Sequence, residues 1–126
     1  MPRLYLTTRR GIAVADGSGE RWEGRLALAD QDCRCVAVDP FAPERVYCGT
    51  AGGGLWRSED AGATWQQAAG RPHASVTALA ISRRERELDA CAIYAGTAPS
   101  GLFRSGNGGL TWEERPALRE VPSAER

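Results

Sequence analysis

The sequence predicts an all-β fold assembled from repeated four-stranded antiparallel sheets. Three segments of the chain, residues 3–22, 45–65 and 92–112, align with one another, and each ends in a tryptophan. Within each segment, short runs of β-branched and aromatic residues alternate with glycine-containing turns, which is typical of strands joined by hairpins. No segment shows the i, i+3, i+4, i+7 apolar pattern of an amphipathic helix, so we expect an almost all-β structure.

The spacing of the closing tryptophans gives the period of the repeat. Trp22, Trp65 and Trp112 lie 43 and 47 residues apart, and periods of about 40–50 residues are typical of the four-stranded blades of a β-propeller. The four extra residues of the longer period fall within residues 82–90, which are strongly charged. Because insertions are usually accommodated at the surface, we expect a solvated loop there, with a helical turn as the alternative.

The strands predicted in each repeat divide the chain into blades. The first repeat holds strands at residues 4–8, 11–15 and 21–28, the second at 34–38, 46–50, 55–58 and from Thr64 onward, and the third at 76–82, 92–97, 102–105 and 111–114. Blade 1 therefore covers about residues 3–28 without its first strand, blade 2 about 33–70 and blade 3 about 75–115. We expect residues 1–126 to form a single partial β-propeller of about two and three-quarter blades, with 116–126 as a linker toward a missing blade.

A turn motif recurs before the last strand of each repeat. The complete copy follows the pattern Ser-x-Asp-x-Gly-x-Thr-Trp, and its residues are Ser58, Asp60, Gly62, Thr64 and Trp65. A second copy has asparagine in the aspartate position and consists of Ser105, Asn107, Gly109, Thr111 and Trp112. A degenerate third copy keeps Gly19 and Trp22. On these residues the chain resembles the BNR/Asp-box repeat β-propeller superfamily, which includes sialidase-like, sortilin-like and photosystem II assembly factor-like propellers and xyloglucan-active glycosidases.

The chemistry of the motif favours a structural role. A tight turn leaves backbone N–H groups without strand partners, and the short side chains of Asp60 and Asn107 accept hydrogen bonds from such groups. Gly62 and Gly109 suit positive φ angles. A calcium loop needs a longer series of carboxylates, and a phosphate loop at residues 49–54 needs a lysine and a following helix. We therefore expect no catalytic residue, no metal and no cofactor at the motif.

Composition narrows the range of partners and locations. All 16 basic residues are arginines, and the 16 acidic residues bring the formal net charge to +0, so we expect no nucleic-acid-binding face. No apolar run is long enough to span a membrane. The first residues lack the features of a signal peptide, so we expect a cytoplasmic protein.

The cysteines do not suggest a metal site. Cys33, Cys35, Cys48 and Cys91 form no Cys-x-x-Cys pair and occupy different places in the repeat, and His73 is the single histidine. Burial as small apolar residues is favoured over a zinc site. A Cys35–Cys48 disulfide across a hairpin remains an open alternative.

Other repeated residues also favour structure over catalysis. When the closing tryptophans are aligned, Tyr47 and Tyr94 share a position that Leu4 takes in the first repeat, and Arg57 matches Arg104. Because a catalytic set is asymmetric, we expect a structural or solvated role for the repeated arginines and core packing for Tyr47 and Tyr94. Glycosidases need two carboxyl groups about 5–10 Å apart, and no pair of acidic residues stands out.

The function that these observations favour is a non-catalytic β-propeller scaffold that binds a protein or a carbohydrate, as the N-terminal part of a longer propeller. The alternative is an exo-acting, sialidase-like glycoside hydrolase whose catalytic residues lie largely beyond residue 126. An assembly factor of the photosynthetic or envelope type is a third candidate. Because the edge of an open sheet has unpaired backbone groups that can bind another strand, we also expect contact either with remaining blades or with other copies of the chain.

Overall fold

The computed structural model describes residues 3–18, 20–68, 75–87, 90–98 and 101–115. Within these residues every regular element is a β-strand, and the strands form three antiparallel sheets, as the repeat predicts. We call the sheets blades 1, 2 and 3 in chain order. Within the same residues, no helix has the length and hydropathy needed to cross a bilayer.

Each blade is a meander in which consecutive strands pair. Blade 1 contains β1 (Arg3–Thr8), β2 (Gly11–Ser18) and β3 (Arg21–Ala27). Blade 2 contains β4 (Cys33–Val38), β5 (Val46–Thr50), β6 (Leu55–Ser58) and β7 (Gln66–Gln67). Blade 3 contains β8 (Val76–Glu87), β9 (Ala90–Thr97), β10 (Gly101–Ser105) and β11 (Glu113–Glu114).

The blades pack face to face in chain order, since β1 contacts β4, while β4 and β5 contact β8. Two apolar clusters fill the seams. The cluster between blades 1 and 2 is built on Ile12, Cys33 and Cys48. The cluster between blades 2 and 3 is built on Tyr47, Leu55, Val76, Ile93 and Ala95. Burying a large apolar side chain contributes about 1.5–3 kcal/mol, so these seams hold the sheets together.

The outermost strands start later than the sequence predicts. They were expected from Thr64 and from Thr111, but β7 begins at Gln66 and β11 at Glu113. The reason is local, because the backbone N–H groups of Thr64 and Thr111 are donated to the side chains of Asp60 and Asn107. An N–H group used in this way is not available to a strand partner.

The charged insertion at residues 82–90 is not the solvated loop that the sequence predicts. Strand β8 continues through it to Glu87, and β9 begins at Ala90. The register shifts between Ile81 and Arg86. At this bulge, Ser82 Oγ accepts hydrogen bonds from the backbone N–H groups of Arg84 and Glu85 at 3.3 and 3.2 Å. The four extra residues therefore lengthen a β-hairpin.

Blade 1 closes its last hairpin differently from the other blades. The β2–β3 pairing runs without a gap to Ser18 opposite Arg21, so the connection between the strands is only two residues long. Gly19, expected to belong to a degenerate turn motif, lies outside the described residues. Trp22 pairs with Gly17 and is half-exposed. It therefore differs from Trp65 and Trp112, which lie in long turns.

All four cysteines carry free thiols. Cys33, Cys48 and Cys91 are buried, and Cys35 is partly buried, in keeping with their expected packing role. Cys48 lies opposite Val36, and Cys35 lies opposite Gly49. The open alternative of a Cys35–Cys48 disulfide is therefore not realised.

Candidate functional site

The turn between β6 and β7 in blade 2 is closed by its own polar side chains. Ser58 Oγ accepts a hydrogen bond from the backbone N–H of Gly62 at 2.8 Å and donates to Oδ1 of Asp60 at 2.8 Å. Asp60 also accepts from the backbone N–H of Thr64 at 2.8 Å and from the Thr64 hydroxyl. Trp65 Nε1 donates to the Gly62 carbonyl at 3.1 Å. The five motif residues of blade 2 thus form one connected network.

The turn between β10 and β11 in blade 3 repeats this network with an amide. Ser105 Oγ accepts from the backbone N–H of Gly109 at 2.9 Å, and Trp112 Nε1 donates to the Gly109 carbonyl at 3.1 Å. Asn107 Oδ1 accepts from the backbone N–H of Thr111 at 2.9 Å, while Nδ2 donates to the Thr111 hydroxyl at 2.7 Å. The threonine hydroxyl therefore donates in blade 2 and accepts in blade 3, which lets asparagine replace aspartate.

The glycine of each turn is required for two reasons. Gly62 and Gly109 both have φ of +86°, which costs other residues about 1–2 kcal/mol. A β-carbon on Gly62 would also stand 3.0 Å from a ring carbon of Tyr5, and one on Gly109 would stand 3.2 Å from a ring carbon of Tyr47. Conformation and close packing thus both exclude a side chain at these positions.

The hydrogen bonds in the blade 2 turn hold Asp60 as a carboxylate. The hydroxyl and the N–H of Thr64, followed by the Ser58 hydroxyl, lower the pKa of Asp60 to about 2. A general acid needs a pKa near the working pH, so Asp60 is unsuited to proton transfer at neutral pH. Among the described residues, no group of three His, Cys, Asp or Glu side chains could hold a metal ion. The geometry of the turn is that of a folding element.

Blade 1 docks onto the turn of blade 2 through three side chains. Tyr5 Oη and Arg3 Nη1 both donate to the Ala61 carbonyl, at 3.0 and 2.6 Å, and Arg25 Nη2 donates to the Gly62 carbonyl at 3.1 Å. The ring of Tyr5 lies against Gly62 in the same way as the ring of Tyr47 lies against Gly109. Tyr5 is therefore the counterpart of Tyr47, and the prediction that Leu4 holds this position is wrong by one residue.

A cleft of about 790 Å³ opens where blades 1 and 2 meet. Its walls come from the start of β1, the end of β2, the end of β4 and the loop and turn of blade 2, and its lining residues are Arg3, Tyr5, Asp16, Val38, Pro43, Glu44 and Ala61. Charged groups and apolar surfaces both line the opening. Cavities of about 300–1,000 Å³ with this mixture are typical of small-ligand sites.

An ion pair organises one side of the cleft. Arg3 binds both carboxylate oxygens of Asp16, through Nε to Oδ1 and through Nη2 to Oδ2 at 2.8 Å. The hydrogen bond from Arg3 lowers the pKa of Asp16, and the same contact raises the pKa of Arg3. Asp16 is consequently held as a hydrogen-bond acceptor, and its lowered pKa is the opposite of what a general acid needs.

Sequence reasoning found the turn residues and missed the cleft. The motif residues of blades 2 and 3 lie together in two separate turns, one in each blade. His73 lies outside the described residues. The repeat does not single out the cleft residues. Arg3 and Asp16 align with Arg45 and Glu59 of the second repeat but with the uncharged Ala92 and Gly106 of the third, and Glu44 aligns with Cys91. The one available signal was the cross-strand register that pairs Arg3 with Asp16.

Comparisons with known proteins identify the fold. No family model matches the chain, and no curated protein matches it. Among solved structures, the GH74 xyloglucanase from Xanthomonas campestris matches with a TM-score of 0.64 at 22% identity, over 89% of this chain and 21% of that chain. The Niastella koreensis GH74 enzyme matches with a TM-score of 0.64 at 21% identity, over 89% and 20%. An ancestral GH74 enzyme matches with a TM-score of 0.61 at 17% identity, over 88% and 16%.

These solved structures have β-propeller folds. The chain spans about a fifth of the length of the first two structures that it matches. At these identities the similarity establishes the fold. The predicted all-β, partial β-propeller architecture is confirmed.

Proposed function

We propose that the chain is a non-catalytic β-propeller module of the Asp-box type that binds a carbohydrate chain in the cleft between blades 1 and 2. The observation that carries this proposal is the cleft itself. It combines a paired donor and acceptor, Arg3 and Asp16, with the apolar surfaces of Val38 and Pro43. Sugars present hydroxyl groups that both donate and accept, together with apolar C–H faces, so such a surface suits them.

The solved structures support a polysaccharide as the ligand. Two of them are GH74 enzymes, and a third is described as a GH74 xyloglucanase, so xyloglucan is the first ligand to test. Isothermal titration calorimetry with xyloglucan oligosaccharides should detect binding. Asp16→Asn and Glu44→Gln should each weaken it about tenfold, a loss of about 1.4 kcal/mol.

Glu113→Gln is the matched control, because Glu113 is an exposed residue of blade 3 that lies outside the cleft. It should bind as the unaltered chain does. Equal binding by all variants would refute the cleft as the site. An absence of heat with every oligosaccharide would refute the ligand class.

The second candidate is a glycoside hydrolase, which the GH74 structures favour by their fold. A glycosidase needs one carboxylic acid with a raised pKa beside a second carboxylate. The two carboxylates whose surroundings shift them most clearly, Asp16 and Asp60, have lowered pKa values. Release of reducing ends from xyloglucan by the purified chain would overturn the non-catalytic proposal, and loss of that release in Glu44→Gln would make Glu44 a catalytic carboxylate.

A further inference from the structure

Two of the four thiols meet on one face of blade 2. Cys33 begins β4 and pairs with Thr50, while Cys48, in the middle of β5, pairs with Val36. Residues two apart on a strand point to the same face of the sheet, so Cys48 shares the face of Thr50 and of its partner Cys33. Both thiols belong to the apolar cluster between blades 1 and 2, and a side-chain hydrogen bond joins them.

The third thiol of blade 2 points to the opposite face of the sheet. Cys35 lies opposite Gly49, which is the neighbour of Cys48 on β5, and adjacent strand residues point to opposite faces. On that side, Cys35 Sγ donates to the carbonyl of Val76 at 3.7 Å and packs against the cluster between blades 2 and 3. The strand register therefore brings Cys48 together with Cys33 and keeps it apart from Cys35.

The surroundings of the pair are complete within the described residues. Cys33 is 3% exposed and Cys48 is 0% exposed. Ile12 of blade 1 completes the buried cluster, and Trp65 of blade 2 packs against it. Both blades that enclose the thiols are described, and neither cysteine lines the cleft that holds Arg3. The chemistry of this pair therefore depends neither on further blades nor on the proposed carbohydrate ligand.

The two thiols differ in how readily they ionise. Burial raises the pKa of both; the hydrogen bond from Cys48 opposes this rise at Cys33, whereas the same contact raises the pKa of Cys48 further. The thiolate is the nucleophilic form of cysteine, so Cys33 is the better nucleophile of the two. Cys33 also stands at the first position of β4, beside residues 28–32, which lie outside the strands. Local opening costs least at such an end, so a small oxidant reaches Cys33 before Cys48.

We propose that Cys33 and Cys48 are a redox-active pair that a small peroxide converts into a disulfide. The Cys33 thiolate attacks one peroxide oxygen, the O–O bond breaks, and Cys33 becomes a sulfenic acid as hydroxide leaves. The Cys48 sulfur, after losing its proton, then attacks the Cys33 sulfur, and the S–O bond breaks with release of a second hydroxide. With hydrogen peroxide, the products are one disulfide and two molecules of water, so the two thiols lose the two electrons that the peroxide gains. Only Cys33 has to meet the oxidant.

Peptide mapping of the oxidised chain tests the pairing. The folded chain is treated with hydrogen peroxide at mildly alkaline pH, remaining thiols are alkylated, and trypsin cleaves after the arginines. Each cysteine then lies in its own peptide, namely 26–34, 35–45, 46–57 and 87–104, so mass spectrometry distinguishes every pairing. We expect one disulfide between peptides 26–34 and 46–57 within a single chain, which dithiothreitol reverses. A disulfide through either other peptide, a disulfide between two chains, or no disulfide at all would overturn the proposal.

Single variants test the order of the two steps, with circular dichroism confirming that each is folded. In Cys48→Ala, the sulfenic acid at Cys33 has no thiol to attack it, so dimedone, which traps sulfenic acids, should label peptide 26–34. In Cys33→Ala, peptide 46–57 should stay unlabelled by dimedone. Cys35→Ala is the matched control, because Cys35 lies on the same strand as Cys33 but on the other face; it should form the disulfide as the unaltered chain does. Labelling of Cys48 in Cys33→Ala, or loss of the disulfide in folded Cys35→Ala, would contradict the assigned roles.

Discussion

Replacing Ser58 with alanine measures what the turn between β6 and β7 contributes to stability. Ser58 is 2% exposed, and the Gly62 N–H group that it serves is buried as well. A buried N–H group that loses its acceptor costs about 1–3 kcal/mol, and the lost bond to Asp60 adds about 1 kcal/mol. We therefore expect the free energy of unfolding to fall by about 2–4 kcal/mol. At about 4 °C for each kcal/mol, Tm should fall by about 8–16 °C.

Chemical denaturation followed by circular dichroism is the assay, with all variants at one protein concentration. Ser105→Ala should cost a similar amount, because Ser105 accepts from Gly109 in the same geometry. Thr77→Ala is the control: its hydroxyl is exposed and makes a long contact of 3.4 Å to the Gly96 carbonyl, so its effect should stay within about 0.5 kcal/mol. If Ser58→Ala unfolds at the same denaturant concentration as the unaltered chain, the turn network does not stabilise the fold.

Three further predictions concern the acid dependence of stability, the glycine of the blade 2 turn and the reactivity of the cysteines. Folding lowers the pKa of Asp60 from 3.8 to about 2, so the stability that the Asp60 carboxylate contributes is complete above pH 3.8 and is lost as the pH falls toward 2. The stability of Asp60→Asn, which copies Asn107, should therefore depend less on acid pH, and the same pH dependence in both chains would contradict this. Gly62→Ala should destabilise the fold more than Gly52→Ala does. Gly52 has open space around it, so its replacement should cost about 1–2 kcal/mol for the positive φ alone, whereas a side chain at Gly62 would also meet Tyr5. Equal falls in Tm for the two variants would refute the packing argument. Burial raises the pKa of Cys48 well above its usual range and that of Cys35 to about 11, so a thiol-reactive disulfide should label the folded chain slowly and the unfolded chain rapidly at mildly alkaline pH; fast labelling of the folded chain would count against the buried core.

The turns of blades 2 and 3 were predictable because all their determinants are local. The acceptor side chain, the glycine with positive φ and the threonine that donates its N–H lie within eight residues of one another, so a spacing pattern captures the whole network. The strands were predictable for the same reason, since alternation and glycine turns are short-range signals. The repeat predicts that neighbouring blades pack on one another, but it does not predict which residues meet in each seam.

The parts that could not be predicted depend on register. In the first repeat, the tyrosine lies one residue closer to the closing tryptophan than in the other two repeats. Alignment on the tryptophans therefore selects Leu4, and only the contact with Gly62 shows that Tyr5 is the equivalent residue. The cleft likewise depends on which residues stand opposite each other, as with Arg3 and Asp16. At the insertion, Ser82 Oγ accepts hydrogen bonds from two backbone N–H groups at a bulge in the hairpin, and the charge density of the sequence does not reveal these contacts.

The length of a turn decides what the closing tryptophan does in each repeat. In blades 2 and 3 the seven-residue connections after Ser58 and Ser105 let the indole N–H reach a carbonyl within its own turn. In blade 1 the connection is two residues long, so Trp22 is already in a strand, opposite Gly17. A strand residue must point to one face of its sheet or the other, and pairing with Gly17 sends Trp22 to the side of Leu4 and Leu6. The short connection therefore places the indole of Trp22 on the face of blade 1 that also carries Leu4 and Leu6, and it enlarges the exposed apolar area of that face.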